Sequence, residues 1–262
     1  MLKIVTFNMR CLWDGDGINS FIHRVGLIYE KINSEKPDLI AFQEMTDKHL
    51  AVLERLMTEY EFIGGARNTD YGGEGVYTAI RKESMKLIGF DFFWLSPTPY
   101  IPGTRFEEQS PCPRICASLK ILHIKSGKTF RFVNTHLDHI PNGAIRIVEM
   151  KQLMEYINDK NAQDRMPTLL VGDFNALPSE PAVGLCTEYM KDVTNNISVT
   201  FHDFGRAEMK IDYVFVSEEL EKAVVRAEAW KDERNGIYLS DHYPICVELD
   251  IKNKIQSNRQ IN

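Results

Sequence analysis

The chain is punctuated by short runs of β-branched and aromatic residues, and most of them stop or start at a carboxylate, a carboxamide or an imidazole. The runs occupy 3–7, 39–42, 78–80, 115–124, 129–134, 168–171, 211–216 and 245–251, and their length and composition predict strands. The Ser-Gly-Lys segment at 126–128 predicts a hairpin turn between two of them. Helical periodicity appears elsewhere: Phe21, Val25, Ile28 and Ile32 share one face, as do Leu50, Leu53, Met57 and Tyr60. A third face joins Ile147, Met150, Met154 and Ile157, with Asn142 as its cap. Strands that outnumber helices, with hairpins beside helical crossovers, predict two packed sheets carrying helices on their outer faces. No linker, low-complexity stretch or repeat interrupts the chain, so residues 1–252 read as one domain and 253–262 as a polar C-terminal tail.

The polar strand ends carry the functional argument. The first run ends at Asn8, the second at Gln43 and Glu44, the fifth at His136 and the sixth at Asp173, with Asn175 two residues on. Asp212 lies at the start of the seventh, and Asp241 and His242 precede the eighth. One such junction is an ordinary turn or cap; six on strands that share a sandwich can converge on one rim as a polar pocket. Those residue types suit attack of water on a phosphate ester. A hard cation such as Mg²⁺ takes one or two carboxylates and keeps several waters, so Glu44 and Asp241 are expected ligands, with Asn8 as a neutral oxygen donor. Mg²⁺ or Mn²⁺ fits this oxygen-rich set better than zinc. Asp173 is placed to orient or deprotonate the water and Asn175 to hydrogen-bond a phosphate oxygen. Asp212 beside His242 is a pairing that fixes a tautomer and raises basicity.

Charge and cysteine usage narrow the classes only slightly. A net charge of −6 and a pI near 5.7 weigh against a protein that grips long duplex nucleic acid by its phosphates. Acidic residues gathered round a metal would give the same balance. The five cysteines are scattered and odd in number, which predicts reduced, mostly buried thiols; Cys112 and Cys116 lack the second pair or nearby histidine of a zinc site. The N-terminal MLKIVTFNMR has no apolar signal core, and no stretch approaches the roughly 18 apolar residues of a membrane span. A cytoplasmic, unprocessed product without a membrane anchor is expected, and the sequence carries no signal of oligomeric state.

The strings TFNMR, AFQE, NTHLDH, VGDFN, IDYVFV and SDHYP, in that order from Thr6 to Pro244, resemble the signature of the endonuclease/exonuclease/phosphatase superfamily. The resemblance implies an α/β fold of the DNase I-like kind, a four-layered sandwich of two mixed sheets between helices, and a Mg²⁺-dependent site at one rim. It assigns Asn8 and Glu44 to the metal, Asp173 and Asn175 to the water and phosphate, Asp212 and His242 to a carboxylate–histidine dyad, and Asp241 to the position before that histidine. His136, where apurinic-site endonucleases carry a tyrosine, is similar to deoxyribonucleases, sphingomyelinases and the nocturnin/deadenylase group. In the deoxyribonuclease pattern a glutamate pairs with that histidine, which nominates Glu74. The segment from Phe93 most resembles a bacterial group related to the deadenylase branch, where the arginine matching Arg114 is expected at phosphate. Arg146 is either a second phosphate contact or a solvated helix position. His23 and His49 read as surface or edge residues, and His139 and His202 lie nearer the rim. Trp94, Tyr71, Tyr100 and Phe106 are candidates to stack a base, and 97–103 reads as a loop over the pocket.

Two enzyme readings stand open. The leading one is a nuclease that cleaves phosphodiester bonds, as a 3′-end exonuclease on single-stranded RNA or DNA; the alternative is a phosphatase or phosphodiesterase on an inositol phosphate, sphingomyelin or a sugar phosphate. A binding module that kept the fold and lost the chemistry would show substitutions at Glu44, at the Asp173–Asn175 pair or at His242, and all of these residues are in place.

Overall fold

The computed structural model describes residues 1–141 and 143–251. Two six-stranded sheets pack face to face. The first has the order β11 (Val224–Ala229), β14 (Ile245–Leu249), β1 (Leu2–Asn8), β2 (Leu39–Met45), β4 (Gly75–Arg81) and β3 (Tyr60–Ala66). The second runs β5 (Met85–Trp94), β6 (Ile115–His123), β7 (Lys128–His136), β8 (Thr168–Asp173), β10 (Asp212–Val216) and β9 (Lys191–Asp192). A two-stranded hairpin of β12 (Glu233–Arg234) and β13 (Ile237–Tyr238) stands apart. β1–β2 and β7–β8 are the parallel pairs, and each is joined by a helical crossover, α1 (Phe21–Glu35) and α3 (Ala144–Gln163), as parallel neighbours require. The other helices are α2 (Asp47–Leu56), α4 (Pro181–Tyr189) and the single turn α5 (Glu218–Glu221).

Strand alternation sorts the apolar residues into three layers. Ile4, Leu39, Ala41, Leu119, Phe132, Leu169, Val171 and Val214 fill the space between the sheets. Val5, Phe7, Ile40 and Phe42 point the other way, onto Ile28 and Ile32 of α1 and Leu53 of α2. Val133, Leu170 and Phe215 meet Met150, Leu153 and Ile157 of α3. A polar clamp crosses the central layer near the strand ends: Gln43 Nε2 donates to Asn134 Oδ1 (2.8 Å), and Asn134 Nδ2 donates to the carbonyls of Phe42 and Tyr77 (both 3.1 Å). It locks the two sheets in register one residue short of Glu44 and two short of His136.

Some expectations need correction. α2 ends at Leu56, and Tyr60 opens β3 instead of extending the helical face. Strands β3, β5 and β11 were not signalled, because Gly64 and Gly65, the charged Lys86 and Asp91, and Arg226 and Glu228 break their apolar character. α3 begins after Gly143; Asn142 and the 253–262 tail lie outside the described residues. No helix among the described residues is long and apolar enough to cross a membrane.

Candidate active site

The rim is assembled by strand register. β1 and β2 bring Asn8 opposite Gln43, next to Glu44; β7 and β8 set His136 opposite Asp173; β8 and β10 set Asp173 opposite Asp212. Gly172 permits the approach of β8 to β7, since a Cβ there would fall 1.9 Å from the Thr135 carbonyl oxygen. The loop holding Asp241 and His242 is drawn in by Arg24 of α1. That buried guanidinium donates to the carbonyls of Leu239 (2.7 Å), Asn19 (2.6 Å) and Met9 (3.0 Å), tying the turn after β1 to the segment before His242.

At the centre, Asn8 Nδ2 bridges two carboxylates, donating to Glu44 Oε1 (3.0 Å) and Asp173 Oδ2 (2.9 Å). Glu44 Oε2 accepts from the Cys11 backbone N–H at 2.7 Å, and Asp173 Oδ1 from that of Asn175 at 2.8 Å. Asn175 Nδ2 donates to the Leu137 carbonyl (3.0 Å), which fixes its orientation, and to His136 Nε2 (2.9 Å). His136 Nε2 is therefore an acceptor and lies 3.5 Å from Asp173 Oδ2. His242 Nδ1 is 2.8 Å from Asp212 Oδ2, and its Nε2 is 3.9 Å from Asp173 Oδ2. Glu44, Asn175 and Arg10 all hold left-handed backbone, with φ of 59°, 47° and 58°. Such conformations cost free energy in non-glycine residues and persist where surrounding structure imposes them.

Burial and charge set opposite protonation states on the two histidines. Burial opposes charging His242, but the Asp212 carboxylate prevails, followed by Asp241 and Asp173, and lifts the imidazole to about 10. Burial holds His136 well below the usual range, and the Arg114 cation pushes the same way. Burial and then the Asp212 charge raise Asp173 to about 7. Burial would raise Glu44, yet the Asn8 hydrogen bond, His242 and the Cys11 N–H leave it below the ordinary value. Asp241 is raised, chiefly by burial.

Two ligand sets have their donor atoms within 4.8 Å of one another: Glu44, His136 and Asp173, and Asp173, Asp212 and His242. Carboxylate oxygens dominate both, so the donor chemistry fits a hard divalent cation. Asp241 completes this acidic rim, with Oδ2 3.4 Å from Arg10 Nη1 and Oδ1 accepting from the Ser240 hydroxyl. The rim opens into a cavity of about 330 Å³. Arg10, Arg67, Arg114 and His139 line it with the residues above.

Several expected residues sit differently. Glu74 lies at the cavity but pairs with Arg67 (2.9 Å), while Asn175 takes His136 Nε2, so the anticipated Glu74–His136 pair is replaced by a Glu74–Arg67 pair. Arg114 reaches the cavity, held by Asp138 Oδ2 (3.5 Å) and by His139 Nδ1 (2.6 Å). Arg146 is neither a phosphate contact nor a solvated position. It is buried, and it donates to Glu180 and to the carbonyls of Asp138 and Ile140. His49 is also buried, its Nδ1 closing the capping box of α2 with Thr46; His23 is exposed. His202 stacks on Tyr243 at 3.8 Å, and Trp94 is core, donating to the Arg67 carbonyl. Residues 112–114, not 97–103, bring the long loop to the cavity. All five cysteines are free; three are buried, whereas Cys11 and Cys112 line the cavity. Arg10 was discoverable as the first cation after β1. Arg67 was not, because it faces Glu74 across the β3–β4 hairpin, whose first strand was not signalled.

The family model for the Endonuclease/Exonuclease/phosphatase family matches residues 5–242. A search of curated protein sequences finds no match. Among solved structures, an endonuclease/exonuclease/phosphatase from Bacteroides vulgatus is 27% identical with a TM-score of 0.87, over 95% of this chain and 98% of that one. A mannosyl-6-phosphatase from Bacteroides thetaiotaomicron is 24% identical with a TM-score of 0.84, over 95% and 100%. The human nocturnin catalytic domain, with bound sulfate, is 18% identical with a TM-score of 0.75, over 95% and 93%. The chain belongs to the endonuclease/exonuclease/phosphatase family of phosphoester hydrolases.

Proposed function

We propose that the chain is a divalent-metal-dependent phosphoesterase whose substrate is a compact phosphorylated small molecule of the sugar-phosphate class. The observation that carries the substrate class is the cavity. Its 330 Å³ lies at the small end of ligand pockets, and its polar lining of arginine, carboxylate and imidazole suits a phosphate and several hydroxyls. The net charge of −6 supports a small substrate over a long polyanion. The mannosyl-6-phosphatase and nocturnin are likenesses of fold, and the chemical argument rests on the pocket.

Glu44 and Asp241 are the residues that would hold Mg²⁺ or Mn²⁺, with Asn8 orienting Glu44 and Asp173. A bound divalent cation supplies Lewis-acid polarisation of the phosphoryl oxygen. Asp173, raised to about 7, is matched to accept a proton from water near neutral pH. The water oxygen forms the new bond to phosphorus as the bond to the ester oxygen breaks, and the departing alcohol takes its proton from solvent. His242, kept cationic by Asp212, faces the charge that develops on the phosphoryl oxygens. Asn175 and Arg114 position the phosphate, the latter through the planar fork that suits oxyanions.

A nuclease acting on single-stranded RNA or DNA is the second reading. It is favoured by Tyr71, exposed on the same loop as Arg67, and by exposed Tyr100, either of which could stack a base. A panel of sugar phosphates, inositol phosphates, sphingomyelin and labelled RNA and DNA oligonucleotides, supplied with Mg²⁺ or Mn²⁺, separates the two. Phosphate release from sugar phosphates with intact oligonucleotides is the expected result. Turnover confined to the oligonucleotides would overturn the substrate assignment.

A further inference from the structure

A second cleft, of about 340 Å³, opens where β5, β6 and β7 meet the end of α3. Phe90, Ser118, Lys120, Arg131, Lys160 and Met166 are among its walls. Arg131 is the unusual member. Its side chain is 5% exposed, yet its buried Nε has no hydrogen-bond partner, and no carboxylate lies within ion-pair distance among the described residues. The neighbouring cations are already matched: Lys160 pairs with Asp91 at 2.9 Å and Lys120 pairs with Asp164. Asp91 is further held by the Tyr156 hydroxyl at 2.7 Å. The cleft thus holds three cations, Lys120, Arg131 and Lys160, against two carboxylates, Asp91 and Asp164, a balance of one positive charge; Asp91 also attracts Arg131, yet Arg131 Nε keeps no hydrogen-bond acceptor. A buried donor left without an acceptor costs about 1–3 kcal/mol, so the fold keeps a feature that an anion would stabilise.

We propose that this cleft is a binding site for a tetrahedral oxyanion, either inorganic phosphate or the phosphoryl group of a small metabolite, with Arg131 as its anchor. The guanidinium fork offers parallel donors to two oxygens of such a group. Ser118 adds a hydroxyl, and half-exposed Phe90 with Met166 gives an organic remainder an apolar wall. Arg131 and His136 lie on the same strand five residues apart, roughly 17 Å at strand rise, so the cleft is separate from the catalytic cavity. The charge balance that defines it uses no catalytic side chain.

The test is a thermal titration of the metal-free full chain with inorganic phosphate, in the wild type and in Arg131→Met. The wild type should gain about 3–6 °C at tenfold saturation. Arg131→Met should lose at least half of that gain. Without phosphate its Tm should equal or exceed that of the wild type, because an unpaired buried charge has been replaced by an apolar chain. Gly89→Asp gives an independent variant that keeps the arginine. Its Cβ would meet only Lys120 Cβ, at an ordinary 3.6 Å, and the added carboxylate should remove the same gain. Glucose 6-phosphate run beside inorganic phosphate separates the two sources: a larger Arg131-dependent gain with the sugar ester identifies the metabolite, and an equal one identifies the free anion. An undiminished phosphate response in both variants would overturn the proposal, as would a lower Tm of Arg131→Met without phosphate together with an unchanged response.

Discussion

Two buried polar clusters meet at the end of β7, and they differ in how completely their groups are satisfied. In the cluster of Asp138, Arg114, Arg146 and Glu149, partners are internal. Asp138 accepts from the Ser110 backbone and hydroxyl and from Ile140, Arg146 is tied to Glu180 and two carbonyls, and Glu149 accepts from Gln109 and the Asp138 N–H. In the rim cluster, four carboxylates and an imidazolium crowd together, and left-handed backbone is imposed on Glu44 and Asn175. The first arrangement clamps the 95–114 loop onto α3. The second leaves charge facing a cavity, which is costly for folding and useful for holding a cation and a phosphate. Similar residue types thus serve the scaffold where satisfied and the chemistry where they are not.

The sharpest way to break this contrast is to truncate one member of each. Glu44→Ala and His242→Ala should each lower phosphoester turnover by about 10²–10⁴-fold, with the Tm unchanged or raised because crowded charge is relieved. A parallel fall in Tm would place these residues in the scaffold. Asp138→Ala should instead cost about 3–5 kcal/mol in urea unfolding, since it leaves Arg114 buried without its carboxylate, and any loss of turnover should come through the displaced Arg114; a loss of stability below about 1 kcal/mol would contradict the clamp.

A titration sharpens the comparison among the histidines. His49, buried in the capping box of α2, has its pKa lowered to about 4, by burial and then by Arg24, against a smaller pull from Glu44. The unfolded chain, with histidine near 6.5, binds the proton more readily. Stability from keeping His49 neutral is therefore full above about pH 6.5 and is lost as pH falls toward 4. Unfolding of the wild type and His49→Gln across that window should differ by up to roughly 3 kcal/mol, and parallel curves would sink the assignment. The smallest effect is expected at Arg146→Met. It should cost about 1–3 kcal/mol by leaving Glu180 and two carbonyls without their donor, while kcat/KM stays within about twofold of the wild type.

Much of the rim was legible because strand ends are local events: a β-branched run followed by Asn8, Glu44, His136 or Asp173 announces both the strand and the polar group at its tip. Parallel pairing of β1 with β2 and of β7 with β8 then places those tips together. The partners of each group were less legible. Arg146 reads as a phosphate contact or as a solvated helix position, and only the return of the 177–180 segment brings Glu180 against it. Glu74 reads as a partner for His136, but the competing cation, Arg67, faces it across the β3–β4 hairpin, which went unread because Gly64 and Gly65 break the apolar character of β3. His49 looked like a surface residue because a capping box that uses histidine at its third position lies outside the usual glutamate signature.

The central claim is that the rim is a metal-dependent phosphoesterase site in which Glu44 serves the cation. Its most direct test is a Mg²⁺ titration of phosphate release from a sugar phosphate, comparing the wild type with Glu44→Gln, which keeps the shape and removes the charge. Activity that saturates with Mg²⁺ in the wild type, vanishes with chelator and is shifted to at least tenfold higher Mg²⁺ in Glu44→Gln (a factor worth about 1.4 kcal/mol) is the expected result. Hydrolysis that survives chelation, or an identical Mg²⁺ dependence in the two proteins, would contradict it.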